Sequence, residues 1–431
     1  VTVILMMNAG PLAGGESTQT LRSGQLLFGW ATSSITPEKP VAIGGQYHTR
    51  ISGQVNDPLL ATALAIETRD EGGAVDQVVF VSCDLAVIRR NVVEKVRRQL
   101  RSQLPDLDVQ KIVISATHTH AAPSITDARE TDWHPYDFMG SWAYRIPQER
   151  TDVLQPSDYL EFLARRISDA VVQAWKARKP GGLSWALSHA VVAHNRRAVY
   201  ADGTARMYGN TNDPEFSHIE GVSDHSLDML FFWRDEKKLE GVAITVYSPA
   251  QEVEGEEYLS ADFWYDTRQL LRKKYDPNLQ VLPLTGASGD QSPHLLWNKA
   301  AEKTMRERQG LSSRQEIARR IVGAVDAVYE TARDNIRTEL DLQHRVKVVP
   351  LPVRRVSDQR YAEAQTVYEA GKDKTEDLES NEYINWRVSR TLIARHAHQK
   401  NNPFYQREKY RQDEVQWKTV ERFVTGESYI W

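Results

Sequence analysis

The sequence predicts an α/β fold, a multilayer α/β sandwich with mixed sheets and outer helices. The apolar runs at 75–85 and 109–117 are typical of strands, and the apolar residues of 91–104 between them have helical spacing. A second amphipathic helix covers 158–178, and "KPGG" at 179–182 ends it. The length of 431 residues exceeds the usual single core and favours one large layered domain or two domains.

The later elements fit the same class. Strand-like runs follow the second helix at "LSWALSHAVVAHN", "SLDMLFFW" and "EGVAITVYS". A helix at 261–275 leads into the strand "LQVLPLTG", and Ser313 with Glu316 predicts a capping box for the next helix. From about residue 355 the chain becomes polar and helical, which predicts an outer helical layer.

These patterns divide the chain into three parts. Residues 1–25 carry a short apolar stretch followed by small residues, which predicts either the remnant of an export signal with an N-terminal arm or an ordinary N-terminal strand. Residues 26–354 form the α/β domain, and 355–431 form a helical C-terminal extension, either native or truncated. The export interpretation predicts a secreted or periplasmic protein.

Charge and cysteine content exclude several classes of function. The chain has 54 basic and 58 acidic residues, and no block of lysine and arginine marks a nucleic-acid or polybasic membrane surface. No stretch is long and apolar enough to predict a transmembrane segment. A single cysteine, Cys83, excludes an internal disulfide framework and a cysteine-rich zinc site. The expected partner is a small-molecule or lipid substrate.

The segment "KIVISATHTHAAPS" places His118 and His120 directly after an apolar strand. In extended backbone, residues i and i+2 point to the same side, so the two rings can meet one ion or one substrate. Neutral imidazole is a common zinc ligand. The alternative is that the rings cap the strand and bond nearby carbonyls.

Polar residues follow three further strands. The loop "GASGDQSPH" brings Ser292 after two glycines, although it matches neither a nucleophile elbow nor a phosphate-binding loop and could be a structural turn. Asn195 and Arg196 follow another strand, where an arginine can orient a carbonyl or carboxylate, or can simply be solvated. A glutamate cluster that includes Glu254 follows the third, and one member could serve as a ligand or base.

The order of these segments resembles the neutral (non-lysosomal) ceramidase family. Over about residues 28 to 300 the chain carries "GWATSSITPEKP", "VVFVSCDL", "ISATHTHAAPS", "NRRAVY", "YSPAQEVEGEEYLSAD" and "GASGDQSP" in sequence. The resemblance implies a zinc-dependent hydrolase that cleaves the amide of ceramide into a fatty acid and a sphingoid base. It implies that His118 is a zinc ligand, that His120 lies beside the reacting centre, that Ser292 is the catalytic serine and that Arg196 lies in the substrate pocket. Apart from the resemblance, we expect Asn195 to join Arg196 in substrate binding and Glu254 to serve as a further metal ligand, because one histidine alone would bind zinc poorly.

The sequence departs from the family at the metal site. Where the family places a second zinc histidine followed by proline, this chain has Tyr247-Ser248-Pro249. Glu427 and Tyr429 are too close together to match the family's widely separated late ligands. Because zinc sites need three or four protein ligands, either the site is rebuilt or the chain is a truncated or inactive relative.

Three rival interpretations remain open at this level. The metal-dependent amidohydrolase barrel also uses His-x-His, but it needs the pair on its first strand and eight strand-helix repeats. A non-catalytic or metal-deficient binding protein fits the missing ligand. A hydrolase of a different ester or amide fits the retained residues, and the aromatic segment with Trp133 and Trp142 could line its channel or merely pack.

Overall fold

The computed structural model describes residues 23–46, 48–125, 146–346, 355–374 and 380–401. Most of the predicted N-terminal arm, the last thirty residues with Glu427 and Tyr429, and the aromatic segment with Trp133 and Trp142 lie outside these ranges. The helices are α1 (Arg90–Gln103), α2 (Pro156–Lys176), α3 (Phe263–Lys274), α4 (Lys299–Arg308), α5 (Ser313–Asp334), α6 (Asp358–Gly371) and α7 (Ser380–Asn401).

Strands occur along most of the described chain up to Leu340. They are β1 (Gly24–Ser34), β2 (Ala42–Ile43), β3 (Arg50–Ile51), β4 (Gln54–Val55), β5 (Leu60–Asp70), β6 (Gly73–Cys83), β7 (Ile112–Ala116), β8 (Lys179–Pro180), β9 (Gly182–His189), β10 (His194–Asn195), β11 (Arg197–Tyr200), β12 (Ala205–Met207), β13 (Phe216–Ile219), β14 (Ser226–Arg234), β15 (Lys238–Val246), β16 (Tyr258–Leu259), β17 (Gln280–Thr285), β18 (Gln291–Ser292) and β19 (Glu339–Leu340).

Two main sheets organise these strands. The first has the order β19-β1-β5-β6-β7, with β8 also paired to β1, and the second has the order β17-β15-β14-β9. Each sheet is mixed, because β6 and β7 are parallel in the first and β15 and β17 are parallel in the second, whereas the other main pairs are antiparallel. This confirms an α/β fold with mixed sheets.

The first sheet packs its small residues against helices. In β5, Ala61, Ala63 and Ala65 alternate onto the face that buries α1 and α2, as the two-residue period of a strand requires. Helix α2 comes so close to β1 that a Cβ on Gly29 would lie 2.2 Å from the carbonyl oxygen of Ala174. Small side chains on this face therefore set the distance between α2 and the sheet.

Larger residues on the opposite face join the two sheets. Leu64 and Ile66 of β5 belong to one buried cluster with Phe28 of β1 and Phe232 of β14. The Phe28 and Phe232 rings meet edge to face with centroids 5.1 Å apart, a favoured aromatic geometry. A separate cluster lies between the second sheet and α3 and α5.

Helix boundaries differ slightly from the sequence prediction. The capping box before α5 is formed by Ser312 and Gln315, one residue earlier than the predicted Ser313 and Glu316. Glu316 is instead buried and bonds Arg319 and Arg320. Among the described helices, none combines the length and the hydrophobicity that a membrane-spanning segment requires.

Candidate functional site

His118 lies in the loop that follows β7 and has the left-handed backbone conformation, with φ of 64°. Its Nδ1 is 2.6 Å from the carbonyl oxygen of Ala86. Because a carbonyl can only accept, Nδ1 donates the hydrogen bond, and Nε2 of the neutral ring carries the lone pair. The ring keeps contact with solvent, yet burial of much of its surface and the nearby His120 lower its pKa to about 4.

The His120 ring meets His118 on one side and a carboxylate on the other. Its Nε2 is 3.3 Å from Nε2 of His118, and its Nδ1 is 3.3 Å from Oε2 of Glu254. The carboxylate therefore orients the ring so that Nε2 faces His118. The sequence predicted that the two rings could meet, but for the wrong reason: the prediction assumed extended backbone, whereas His118 is left-handed. The sequence also did not indicate which nitrogen atoms would face each other.

A buried arginine holds the loops that carry these side chains. Arg50 is 1% exposed and donates to the carbonyl oxygens of Gly44, His120 and Glu256, at distances of 3.0, 2.6 and 2.6 Å. These carbonyls belong to three segments that are far apart in the sequence. One guanidinium therefore ties the segment that carries Glu254 to the segment that carries His120.

Gln251 fills the space beside His120. Its side chain is buried, and its amide nitrogen lies 2.7 Å from Nε2 of His120. The amide oxygen Oε1 is also buried and has no hydrogen-bond partner among the described residues. The backbone N–H of Ala250 donates to the carbonyl of Thr117 at 3.1 Å, which fixes this loop against the His118 loop.

Glu254 and His294 extend the contacts towards Ser292. Oε1 of Glu254 is 3.4 Å from Nε2 of His294, and Oε2 of Glu252 is 3.6 Å from Nδ1 of the same ring. Burial opposes charge on both partners, but their mutual contacts dominate: they lower the pKa of Glu254 to about 2 and raise the pKa of His294. A negative carboxylate therefore lies between two imidazoles.

Ser292 is fully buried at the end of this series of contacts. Its Oγ lies 3.1 Å from Oη of Tyr208 and accepts a 3.1 Å hydrogen bond from the backbone N–H of His294. Within the part of the chain that the structure describes, Ser292 is connected to His120 through His294 and Glu254 and not by a direct hydrogen bond.

Asn195 and Arg196 lie beside the segment that carries Ser292, because β10 pairs antiparallel with β18. Asn195 in β10 donates to Oδ2 of Asp290 at 2.8 Å, and Arg196 donates to the carbonyl oxygen of Gly289 at 2.9 Å. The Arg196 guanidinium lies 5.8 Å from the Tyr208 ring centroid, and its charge contributes to the low pKa of His118. Asn195 and Arg196 thus both support the segment that carries Ser292, and the Arg196 charge also acts on His118.

Three contributors are absent from the predicted set of site residues: Tyr208, Gln251 and His294. His294 follows Ser292 by two residues in "DQSPH", so its position in a polar loop was a usable signal. Gln251 lies within the noted acidic cluster but carries no charge. No pattern marks Tyr208, which reaches Ser292 across 84 residues. The metal, catalytic and substrate-binding roles of the predicted residues stay predictions.

The segment Tyr247-Ser248-Pro249, where the resembled family would place a second zinc histidine, offers no imidazole. Ser248 is buried, and Tyr247 beside it donates from Oη to Asp228 at 2.8 Å. In the described ranges no group of three or more His, Cys, Asp or Glu side chains is arranged to hold a metal ion. These four residue types alone therefore do not form a complete metal site within those ranges.

A cleft of about 430 Å³ opens beside Glu254 and His294. Charged side chains from α4 and α5 contribute much of its wall. These side chains are Lys299, Glu302, Arg306, Glu316 and Arg320. Arg320 is bound to both Glu302 and Glu316, whereas no acidic partner of Lys299 or Arg306 occurs among the described residues.

The His120 ring packs so closely on the backbone of residue 45 that only glycine fits there without a shift. Gly45 has φ of +99°, and a Cβ at this position would lie 2.2 Å from Cγ of the His120 ring. Gly73 has a similar φ of +109° but an open surrounding, so Gly73→Ala is a matched control for backbone strain. We expect Gly45→Ala to lower the free energy of unfolding by about 1–3 kcal/mol more than Gly73→Ala, because the side chains must shift. If urea denaturation gives equal losses of unfolding free energy for the two variants, the His120 ring moves away from the new Cβ at no cost.

The comparisons with known proteins concern the fold. No protein-family model and no curated protein sequence matches the chain. Two solved structures are similar, a ceramidase complexed with C2 and neutral ceramidase from Pseudomonas aeruginosa. Each alignment has a TM-score of 0.53 and 16% sequence identity. It covers 73% of this chain and 45% of the first solved chain or 46% of the second. The protein therefore has a ceramidase-like α/β fold, and it spans less than half the length of these two ceramidase chains.

Proposed function

We propose that the protein hydrolyses an amide bond of an N-acyl compound, in the manner of neutral ceramidase, at a zinc-assisted site that contains Ser292 and His120. The observation that carries the proposal is the continuous series of contacts from His118 through His120, Glu254 and His294 to Ser292. The last of these contacts is the backbone N–H of His294 donating to Oγ of Ser292, so the chain itself and not a ring makes the link to the serine. An ion-binding position and a serine hydroxyl in one such series suit attack on an amide carbonyl. The proposed setting is a secreted or periplasmic protein with a multilayer sandwich domain.

The histidine geometry fits a metal ion. Two nitrogen ligands of a tetrahedral zinc with Zn–N distances of about 2.0–2.1 Å lie about 3.3 Å apart. The Nε2 atoms of His118 and His120 are separated by 3.3 Å. Each Nδ1 has an outer partner, Ala86 or Glu254, as metal-binding imidazoles normally do. We assign these two rings as donors and Glu254 as the group that orients His120.

The residues around the donors have distinct tasks. A zinc ion bound there would acidify water or polarise the acyl oxygen. In this proposal Ser292, whose Oγ accepts from the Tyr208 hydroxyl, supplies the serine hydroxyl, and Arg196 would orient the substrate carbonyl. The His294 ring, which lies between Glu252 and Glu254, would hold a proton and deliver it to the leaving amine.

The cleft favours a polar substrate over a long aliphatic one. Charged side chains on its wall would have to lose hydration against an alkyl chain without gaining a partner. A short N-acyl group with a polar amine, or an anionic acyl compound that meets Lys299 and Arg306, fits this surface better. Ceramide remains within the proposed class as the long-chain member.

We expect purified protein with zinc to hydrolyse short polar N-acyl amines at least about tenfold faster, by kcat/KM, than long-chain ceramide, a difference of about 1.4 kcal/mol in the barrier. The assay compares short-chain and long-chain ceramides, polar N-acyl compounds and simple esters, with and without added zinc. Ser292→Ala is the control for contaminating hydrolases. A preference for long-chain ceramide would overturn the polar assignment.

A second candidate function is a non-catalytic binding protein, and Ser248 at the place of the family's second histidine favours it. Metal analysis of the purified protein separates the two candidates. Zinc at about one ion per chain supports the hydrolase. Absence of turnover on every substrate by metal-replete protein supports the binding protein.

A further inference from the structure

The two imidazoles present an electrostatic problem at the centre of the site. Nδ1 of His118 must donate to Ala86, and Nδ1 of His120 faces the Glu254 carboxylate. With both protons on Nδ1, the two Nε2 atoms turn their lone pairs towards each other across 3.3 Å. Such a pair is stable when a proton or a metal ion lies between the nitrogens.

The Gln251 side chain is a third polar group beside the two Nε2 atoms. Gln251 is 1% exposed, its amide nitrogen lies 2.7 Å from Nε2 of His120, and its Oε1 has no partner in the described structure. A buried oxygen without a hydrogen-bond partner is energetically costly. The nitrogen and oxygen of a glutamine amide exchange places when the amide rotates by half a turn, so either atom can face the imidazoles.

We propose that Gln251 is the third protein ligand of the zinc ion, through Oε1, and replaces the histidine that is absent at Tyr247-Ser248-Pro249. This inference rests on the proposed zinc-assisted function. It explains why the described His, Cys, Asp and Glu residues alone form no complete site: the missing donor is an uncharged amide. With His118 and His120 it gives three protein ligands and leaves one position open, as catalytic zinc sites require.

The chain around Gln251 is suited to this task. The hydrogen bond from Ala250 to Thr117 ties its loop to the His118 loop, so the amide is held beside the histidines before any ion binds. An amide oxygen is a harder and weaker donor than imidazole. The site should therefore bind zinc more weakly, and discriminate less against Mn²⁺, than one with three histidines.

Zinc affinity of the full chain tests the inference, measured by competition with a chromophoric chelator. We expect Gln251→Leu to weaken zinc binding about 10- to 100-fold and Gln251→His to strengthen it and to increase the preference for zinc over Mn²⁺. Gln291→Leu is the matched control. Gln291 is also buried with an unpartnered Oε1, but its amide nitrogen donates to Oδ1 of Asp290 and not to a histidine. Its zinc affinity should equal that of the unmodified protein.

The outcomes separate this inference from the proposed function. Zinc binding that is unchanged in both Gln251 variants would show that the amide only bonds His120, and the ligand assignment would fail while the zinc site stands. Failure of the unmodified chain to bind zinc would overturn both. The absorption spectrum of the cobalt-substituted protein gives a second readout, since Gln251→His must change the ligand field if residue 251 is a ligand.

Discussion

Replacing His118 by alanine is expected to abolish zinc binding and amide hydrolysis together while leaving the fold intact. The variant removes one of two proposed imidazole donors, and loss of an outer partner alone typically lowers metal affinity about 10- to 100-fold. We therefore expect a loss of more than about 100-fold in affinity. The ring is exposed to solvent at the site, so its removal leaves no cavity in the core.

The measurement is the zinc content of the purified variant, with circular dichroism as the check on folding. His218→Ala is the control, because His218 is exposed on β13 and contacts only Ser217 among the hydrogen-bond partners that the structure describes. Its zinc content and activity should equal those of the unmodified protein. A His118→Ala protein with normal zinc content would mean that His118 has a structural role.

Arg268→Ala is expected to destabilise the fold by about 3–5 kcal/mol, because it leaves a buried carboxylate without its counter-charge. Arg268 of α3 binds Asp84 through two hydrogen bonds of 2.8 and 3.0 Å, and the two side chains are 2% and 0% exposed. Asp84 follows β6 and also accepts from the backbone N–H of Leu60. The pair thereby joins α3, which packs on the second sheet, to the end of β6 in the first sheet.

An exposed pair with the same geometry provides the control. Arg150 binds Asp152 at 2.8 and 3.0 Å, but both side chains are largely exposed. Arg150→Ala should change the free energy of unfolding far less than Arg268→Ala does, because solvent screens an exposed ion pair. Both variants are compared by urea denaturation. Similar losses would show that burial does not determine the strength of the Arg268 pair, and joint replacement of Arg268 and Asp84 by leucine should recover part of the loss.

The α/β class with mixed sheets was predictable because apolar runs and helical spacing report buried strands and helix faces. The apolar runs of β6 and β7 and the helical spacing in α2 each follow from one local stretch of chain. Boundaries were less accurate. The capping box of α5 shifted by one residue because "LSSRQE" offers two adjacent serines, and only the folded backbone selects Ser312.

The α/β class with mixed sheets can be inferred from the sequence, and so can the polar segments with His118, Arg196, Glu254 and Ser292 that follow its strands. These features depend on residues that are close in the chain. Only the folded structure shows which ring nitrogens face each other and that Gln251 fills the space beside His120, 131 residues away. The physical reason is that distant loops meet through packing and through the hydrogen bonds of Arg50, whose three acceptors lie in separate segments.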